Sequence, residues 1–253
     1  MAQTIFITGA SSGIGAALAQ LYSTYGANLG LLARNADALA QVASTCTQAQ
    51  NTACVSADVT NAGDMQRAMG ALTSTLGTPD VVIANAGVSR GTLAGAVEDV
   101  PAFATVFATN VLGLVHTFTP VIDALIQRGS GTLVVVASVA GVRGLPGSAA
   151  YSASKAAAIA YAESLRVELR PTGVKVVTVC PGYIDTPMTR VNTFRMPFLL
   201  SAQEGARRIA RAIDATTSYA VVPWQMAAAA KLLRMMPNAV YDRIFAHMPR
   251  KPR

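Results

Sequence analysis

The chain has 253 residues, 52% of them hydrophobic and 13% charged, which suits one large α/β domain or two small ones and excludes a disordered chain. Its net charge of +7 is uneven: residues 204–253 hold nine Lys/Arg against three Asp/Glu, whereas the first 203 hold eleven against ten. A nearly neutral body with a basic tail argues against a nucleic-acid-binding domain, where a basic stripe and a recognisable motif are expected.

Apolar, β-branched runs alternate with helical patterns from the N-terminus onward. Thr4–Thr8 reads as a strand and Gly13–Tyr25 as a helix. Asn28–Ala33 is a strand, Ala36–Gln48 a helix, Ala53–Ala57 a strand and Asn61–Leu76 a helix. Asp80–Ala84 is a strand, Pro101–Ile126 holds one long helix, and Thr132–Ala137 is a strand. Ala149–Leu169 is a helix, Val174–Val179 a strand, Ser201–Ala215 a helix and Tyr219–Val222 a last short strand. The strands are continuous apolar runs, as expected when helices cover both faces of a sheet. The alternation implies right-handed crossovers and a doubly wound parallel sheet of about seven strands, over residues 1–222.

Cys46, Cys54 and Cys180 lack metal-ligand spacing and read as reduced thiols, and only His116 and His247 offer imidazole, so no metal is expected. No uninterrupted apolar run reaches the roughly eighteen residues that span a bilayer. Met1–Ile7 enters an apolar strand without a basic leader. A cytoplasmic protein is expected.

The first strand ends in Thr8-Gly9-Ala10-Ser11-Ser12-Gly13-Ile14-Gly15. Glycine lets the backbone turn sharply and approach a ligand, and the next helix aims free N–H groups at the loop. That arrangement suits a pyrophosphate. The second strand ends in Ala33-Arg34, where an NAD site usually has an acid for the ribose hydroxyl. A guanidinium pairs instead with a 2′-phosphate, so Arg34 predicts NADP(H) over NAD(H). Further on, Tyr151-Ser152-Ala153-Ser154-Lys155 puts a phenol and an ammonium on one face of a helix, one turn apart. The ammonium is expected to lower the phenol's pKa and fit it for proton transfer near neutral pH.

Taken in order, these motifs resemble the short-chain dehydrogenase/reductase family over about residues 3–220. The rest of the ordered set is Asp58-Val59 after the third strand, Asn85-Ala86-Gly87 after the fourth, Asn110 in the long helix, Ser138 after the fifth and Pro181-Gly182 after the sixth. The resemblance implies a Rossmann-like fold and NADP(H)-dependent interconversion of a carbonyl and a secondary alcohol. It implies that Gly9, Ser11, Ser12, Gly13, Ile14 and Gly15 hold the pyrophosphate, with Asp58 and Val59 at the adenine. Asn85, Ala86 and Gly87 would lie against the cofactor, and Pro181, Gly182, Ile184 and Thr186 would border the nicotinamide. Tyr151 would be the proton donor, Ser138 would align the substrate oxygen, and Lys155 would tune Tyr151 and bond the nicotinamide ribose. Asn110 would hold a water that links Lys155 to solvent.

Residues 223–253 form a basic, helix-compatible extension, packed on the domain or at an interface. It resembles the ending of the 11β-hydroxysteroid-dehydrogenase-like branch. Trp224–Met236 and Val240–Met248 are apolar on most sides, with Lys231, Arg234 and the run Arg250-Lys251-Pro252-Arg253 beside them, which leaves peripheral membrane contact open. Met188–Leu200, rich in Met, Phe and Leu, is the expected lid over a hydrophobic carbonyl or alcohol substrate. Arg143 and Leu145 are expected near the pocket. A homodimer or tetramer is expected, built on the apolar helices around Phe103–Ile126 and Ala149–Leu169. Two alternatives stay open: a lipid-ketone reductase at a membrane surface, and a non-catalytic NADP-sensing protein on the same fold.

Overall fold

Parallel pairing organises the chain from its first strand. In the computed structural model, which describes residues 2–247 and Lys251, β1 (Thr4–Thr8) leads to α1 (Gly13–Thr24), β2 (Asn28–Ala33) to α2 (Ala36–Thr45), and β3 (Asn51–Ser56) to α3 (Ala62–Leu76). Then β4 (Val81–Ala84) leads through α4 (Val100–Phe107) and α5 (Gly113–Arg128) to β5 (Thr132–Val136). Helix α6 (Ala149–Glu168) precedes β6 (Lys175–Pro181), and α7 (Pro187–Arg190) and α8 (Ala202–Asp214) precede β7 (Tyr219–Val222). Two further helices, α9 (Trp224–Met235) and α10 (Asn238–Phe245), form the extension. Of the expected apolar and basic C-terminal run, Met248, Arg250, Pro252 and Arg253 lie outside the described residues.

All seven strands pair in parallel, in the order β3-β2-β1-β4-β5-β6-β7. This is a doubly wound, Rossmann-like sheet, as the alternation predicts. The period-2 geometry of β1 splits its apolar residues between two cores. Ile5 and Ile7 face one side, with Leu18 and Tyr22 of α1 and Ile209 and Ile213 of α8. Phe6 faces the other, with Met69 and Leu72 of α3, Phe118 and Leu125 of α5 and Leu165 of α6. The direction of winding reverses between β1 and β4. Crossovers there run to opposite ends of the sheet, and a crevice opens beyond the strands' carboxyl ends.

Two elements depart from the sequence reading. The expected single helix at Pro101–Ile126 is interrupted by a π-helical turn at Ala108–Leu112. Strand β3 starts at Asn51 and is mostly exposed, because it is an edge strand with a partner on one side only. Its first residue is held by Asn51 Nδ2 donating to Asn28 Oδ1 at 2.8 Å. The absence of a membrane-length segment also needs correction. The helical run Val97–Arg128 is long and apolar enough to cross a bilayer by length and composition. Polar residues such as Thr109, Asn110, His116 and Thr117 interrupt it, so a search for uninterrupted apolar stretches passes over it. Leu114, Phe118, Val121 and Leu125 bury one side of it against Val82 and Leu133 of the sheet, as in a core helix.

Candidate active site

A cleft of about 700 Å³ opens at the point where the winding reverses. Gly9, Ser11, Ser12, Gly13 and Ile14 line it from the β1–α1 loop, and Arg34, Asp58 and Val59 from the ends of β2 and β3. Asn85, Ala86 and Gly87 line it after β4, and Ser138, Tyr151, Lys155, Pro181, Gly182, Ile184 and Thr186 complete its far side. Of the expected site residues, only Gly15 and Asn110 are not part of its wall.

The β1–α1 loop is shaped by close backbone approach. Gly9 has φ +66°, and a Cβ there would lie 2.8 Å from Ala86 Cα. Gly15 supports the loop from behind: a Cβ would lie 2.3 Å from the Gly9 carbonyl oxygen and 2.6 Å from Asn85 Nδ2. Its role in this structure is packing of α1 onto the loop. Asn85 Nδ2 donates to the Thr8 and Gly9 carbonyls at 3.0 and 3.2 Å. The backbone N–H groups of Asn85 and Ala86 donate to Thr8 Oγ1 at 3.1 and 3.2 Å.

Helix starts are satisfied unevenly in this fold: α6, α9 and α10, like α1, begin without a side-chain cap bond. Asn35, Asn61 and Ser201 cap α2, α3 and α8 with side-chain bonds at 2.9, 3.0 and 3.2 Å. Ser12, at the N-cap of α1, makes no such bond, and the first turn carries no acid. The first-turn N–H groups of α1 therefore lack a side-chain acceptor at the wall of the cleft, and the end of the helix dipole is positive. That combination fits the phosphate groups of a dinucleotide. Arg34 is exposed at the cleft edge, and Asp58 Oδ1 accepts from Thr60 N and Thr60 Oγ1 at 2.9 Å each.

Ser138, Tyr151 and Lys155 meet at the inner end. Ser138 Oγ is buried, accepts from Ala140 N at 3.1 Å and lies 3.5 Å from the Pro181 carbonyl. Lys155 Nζ donates to the Val136 carbonyl at 2.8 Å and stands 5.9 Å from the centre of the Tyr151 ring. Burial lowers the Lys155 pKa to about 8, against a smaller upward pull from Cys180. Burial pushes the Tyr151 phenol up, a hydrogen bond with Ser138 pulls it part of the way back, and Cys180 adds to the rise. The expectation that Lys155 lowers the phenol is therefore corrected for this structure. The ammonium is turned onto the Val136 carbonyl, and desolvation is the largest influence on Tyr151.

Asn110 sits within the π turn and is buried. Its Oδ1 accepts from Val88 N at 2.8 Å, and its Nδ2 donates to Val88 O at 2.9 Å and to Ser154 Oγ at 3.0 Å. Ser154 Oγ in turn donates to the Tyr151 carbonyl at 2.8 Å. The side chain thus ties the loop after β4 to the helix that carries Tyr151. A cavity of about 10 Å³ lies between Asn110, Lys155, Thr8 and Thr117, close to the volume scale of one water.

The sequence reading missed several lining residues, among them Asn35, Val88, Thr109 and Pro187, whereas Met188 and Thr189 belong to the expected lid. Pro187 had a signal. Thr186-Pro187 is a helix start, with Thr at the N-cap and Pro in the first turn. Thr189 Oγ1 donates to Ile184 O at 2.6 Å and accepts from Thr186 N at 3.0 Å, which fixes the turn.

This geometry agrees with comparison to known proteins. The short chain dehydrogenase family model matches residues 3–195, and the chain belongs to that family. It is an oxidoreductase of the short-chain dehydrogenase/reductase type. An uncharacterised oxidoreductase of Myxococcus xanthus is 37% identical over 249 residues, covering 95% of each chain. That coverage carries the likeness well into the extension after Pro223. The 2-(R)-hydroxypropyl-CoM dehydrogenase of Xanthobacter autotrophicus is 34% identical over 194 residues, covering 75% of this chain and 78% of its own. Among solved structures, actinorhodin polyketide ketoreductase with NADPH superposes with a TM-score of 0.79 at 26% identity, over 87% of this chain and 95% of its own.

The Lys155 shift has a thermodynamic consequence. Between pH 8 and 10.5 the unfolded chain still holds this proton while the folded chain releases it. More protons are then bound to the unfolded state, so this group makes stability rise with pH across that window. Urea unfolding of cofactor-free wild type and Lys155→Met at several pH values should show the difference between them moving in favour of wild type from pH 8 to 10.5. Below pH 8 the difference should stay flat.

Proposed function

We propose that the protein is an NADP(H)-dependent oxidoreductase that interconverts a carbonyl and a secondary alcohol on a hydrophobic substrate in the cytoplasm. The observation that carries this reading is the convergence of Ser138, Tyr151 and Lys155 in the same cleft as an uncapped helix N-terminus and Arg34. NADPH in the ketoreductase structure supports the same cofactor here. When bound, the nicotinamide would supply or accept the hydride. The first-turn N–H groups of α1 hold the phosphates, and Arg34 takes the 2′-phosphate at the cleft edge. Ser138 Oγ orients the carbonyl oxygen, and Tyr151 delivers the proton to it as it becomes an alkoxide. Lys155, freed from Val136, holds the ribose and stabilises the phenolate that remains. Asn110 keeps the Tyr151 helix at its distance from the loop after β4, beside a cavity suited to one relay water.

The segment after Ile184 supports a hydrophobic substrate. Its ends are tied by Asp185 N to Leu200 O at 2.8 Å and Leu200 N to Tyr183 O at 3.0 Å. Between them Met188, Val191, Phe198 and Leu199 stand exposed, as apolar walls of a lid would. Exposed Phe103, Leu112 and Val167 on α4, the π turn and α6 support a homo-oligomer.

Tyr151→Phe should reduce carbonyl turnover by about 10²- to 10⁴-fold. NADPH binding followed by fluorescence should stay within a few-fold, and full turnover in the variant would remove Tyr151 from the mechanism. Arg34→Asp should weaken NADPH binding by about 10- to 100-fold and leave NADH nearly unchanged. Equal loss of both cofactors would point to damage of the fold instead.

A second reading has one observation behind it. Trp224, Leu232 and Met235 form an exposed apolar stripe along α9, flanked by Lys231 and Arg234. Such a stripe suits the interface of an anionic bilayer, where a long-chain lipid ketone would be reduced. Full-length protein should then float with phosphatidylserine liposomes and lose this with Trp224→Glu and Leu232→Glu together. Recovery of wild type in the soluble fraction would sink the reading.

A further inference from the structure

The extension is fastened to the loop between the two reacting side chains. Arg143, between Ser138 and Tyr151, donates from Nη1 to the Leu233 and Met236 carbonyls at 2.5 and 2.6 Å, and from Nη2 to Asn238 Oδ1 at 2.7 Å. The Met236 carbonyl lies past the last turn of α9, and the Leu233 carbonyl, which also accepts from Met236 N at 3.3 Å, gains a second donor. The guanidinium also lies 3.9 Å from the centre of the Tyr241 ring, and Tyr241 OH donates to the Gly144 carbonyl at 2.5 Å. At its other end α9 presses Met226 against the site, and a Cβ on Gly182 would lie 2.7 Å from Met226 Cγ. The two helices therefore border the site from Gly182 to Gly144.

Lys251, six residues past the end of α10, stands at the same opening. Its Nζ donates to Ser89 Oγ at 2.6 Å and lies 5.6 Å from the centre of the Tyr151 ring. Ser89 follows directly on Val88, which lines the cleft. The proton donor thus has ammonium groups near its ring from both Lys155 and Lys251. Among the described residues, no carboxylate makes an ion pair with Lys251. Burial lowers its pKa. A neutral hydroxyl compensates such a charge poorly, and an incoming oxyanion would compensate it well.

We propose that Lys251 is a specificity residue of the substrate site, and that it selects carbonyl compounds carrying a carboxylate or comparable oxyanion a few bonds from the reacting carbonyl. The inference rests on Tyr151 being the proton donor of the proposed reaction. The ammonium, held by Ser89 in the free protein, pairs with the oxyanion and so places the carbonyl against Tyr151 and Ser138. The apolar residues of the Met188–Leu200 segment accept the remainder of the molecule. The substrate class is then an amphiphile: an apolar aryl or alkyl body bearing a short keto-acid head.

Matched probes separate charge from shape. Benzoylformate and 3-benzoylpropionate would be compared with their methyl esters, using full-length protein and NADPH. Wild type should favour the acids, and Lys251→Met should raise KM for the acids by about 10- to 100-fold with kcat and the ester KM little changed. Lys251→Arg should restore most of the preference. Equal handling of acids and esters by wild type, or an equal change for both in Lys251→Met, would overturn the proposal. Calorimetric titration of the acids into NADPH-loaded protein reads the same contact without turnover. Acid binding that Lys251→Met abolishes would uphold Lys251 even if no probe were reduced, and would then count against the proposed reaction instead. An absence of acid binding to wild type would overturn the Lys251 proposal alone.

Discussion

The hydroxyl of Thr8 joins the two strands between which the site opens. Where the winding reverses, β1 and β4 are neighbours whose following segments leave in different directions, and the backbone N–H groups just past β4 lose their ladder partners. Thr8 Oγ1 accepts two of them, from Asn85 and Ala86. Asn85 returns the connection by donating to the Thr8 and Gly9 carbonyls. The loop after β1 is thereby fixed close against the loop after β4 through the Thr8 hydroxyl and the Asn85 amide. Gly9 and Gly15 are required by that closeness, since a Cβ at either would meet backbone or amide atoms below 3 Å. The open N-terminus of α1 faces the cleft because this contact holds it there.

At the inner end the electrostatics run against isolated intuition. A lysine one helical turn from a tyrosine suggests a lowered phenol pKa, yet both groups are desolvated and both are pushed toward their neutral forms. Lys155 compensates part of its burial by bonding Val136 O, and Tyr151 compensates through Ser138. Each of these partners is available for exchange. A carbonyl oxygen would compete for the Ser138 bond, and ribose hydroxyls for the ammonium.

Much of this was legible in the sequence because the signals were local. Thr8–Gly15 declares a strand, a turn and a helix start within eight residues, and Tyr151 and Lys155 declare a shared helix face. The sheet order follows from alternation and handedness, which are properties of neighbouring elements. What stayed hidden depends on distant residues. Nothing near Asn110 announces the π turn or the pair of bonds its side chain makes to Val88, which lies 22 residues away. Arg143 was expected only near the pocket, and its partners lie 90 to 95 residues further along the chain. Gly15 packs behind the loop, and its spacing fits both contact with a ligand and packing behind one. The phenol's shift was misjudged because burial, the largest influence on it, cannot be read from a pentapeptide.

The π turn has a consequence for how the chain can vary. A π turn is an α-helix with one residue more than its hydrogen-bond pattern needs. Each residue of an α-helix advances the face by about 100°. The extra residue at Ala108–Leu112 thus sets the face of α4, with its stacked Phe103 and Phe107, out of phase with the face of α5 that buries Phe118 and Leu125. Deleting one residue here would yield a more regular helix and a misaligned protein. Every side chain before the deletion would rotate by roughly a quarter turn relative to the sheet, and Asn110 would swing away from Val88 and Ser154. In this stretch length is constrained more tightly than composition: substitutions preserve the phase, whereas an insertion or deletion of a single residue resets it.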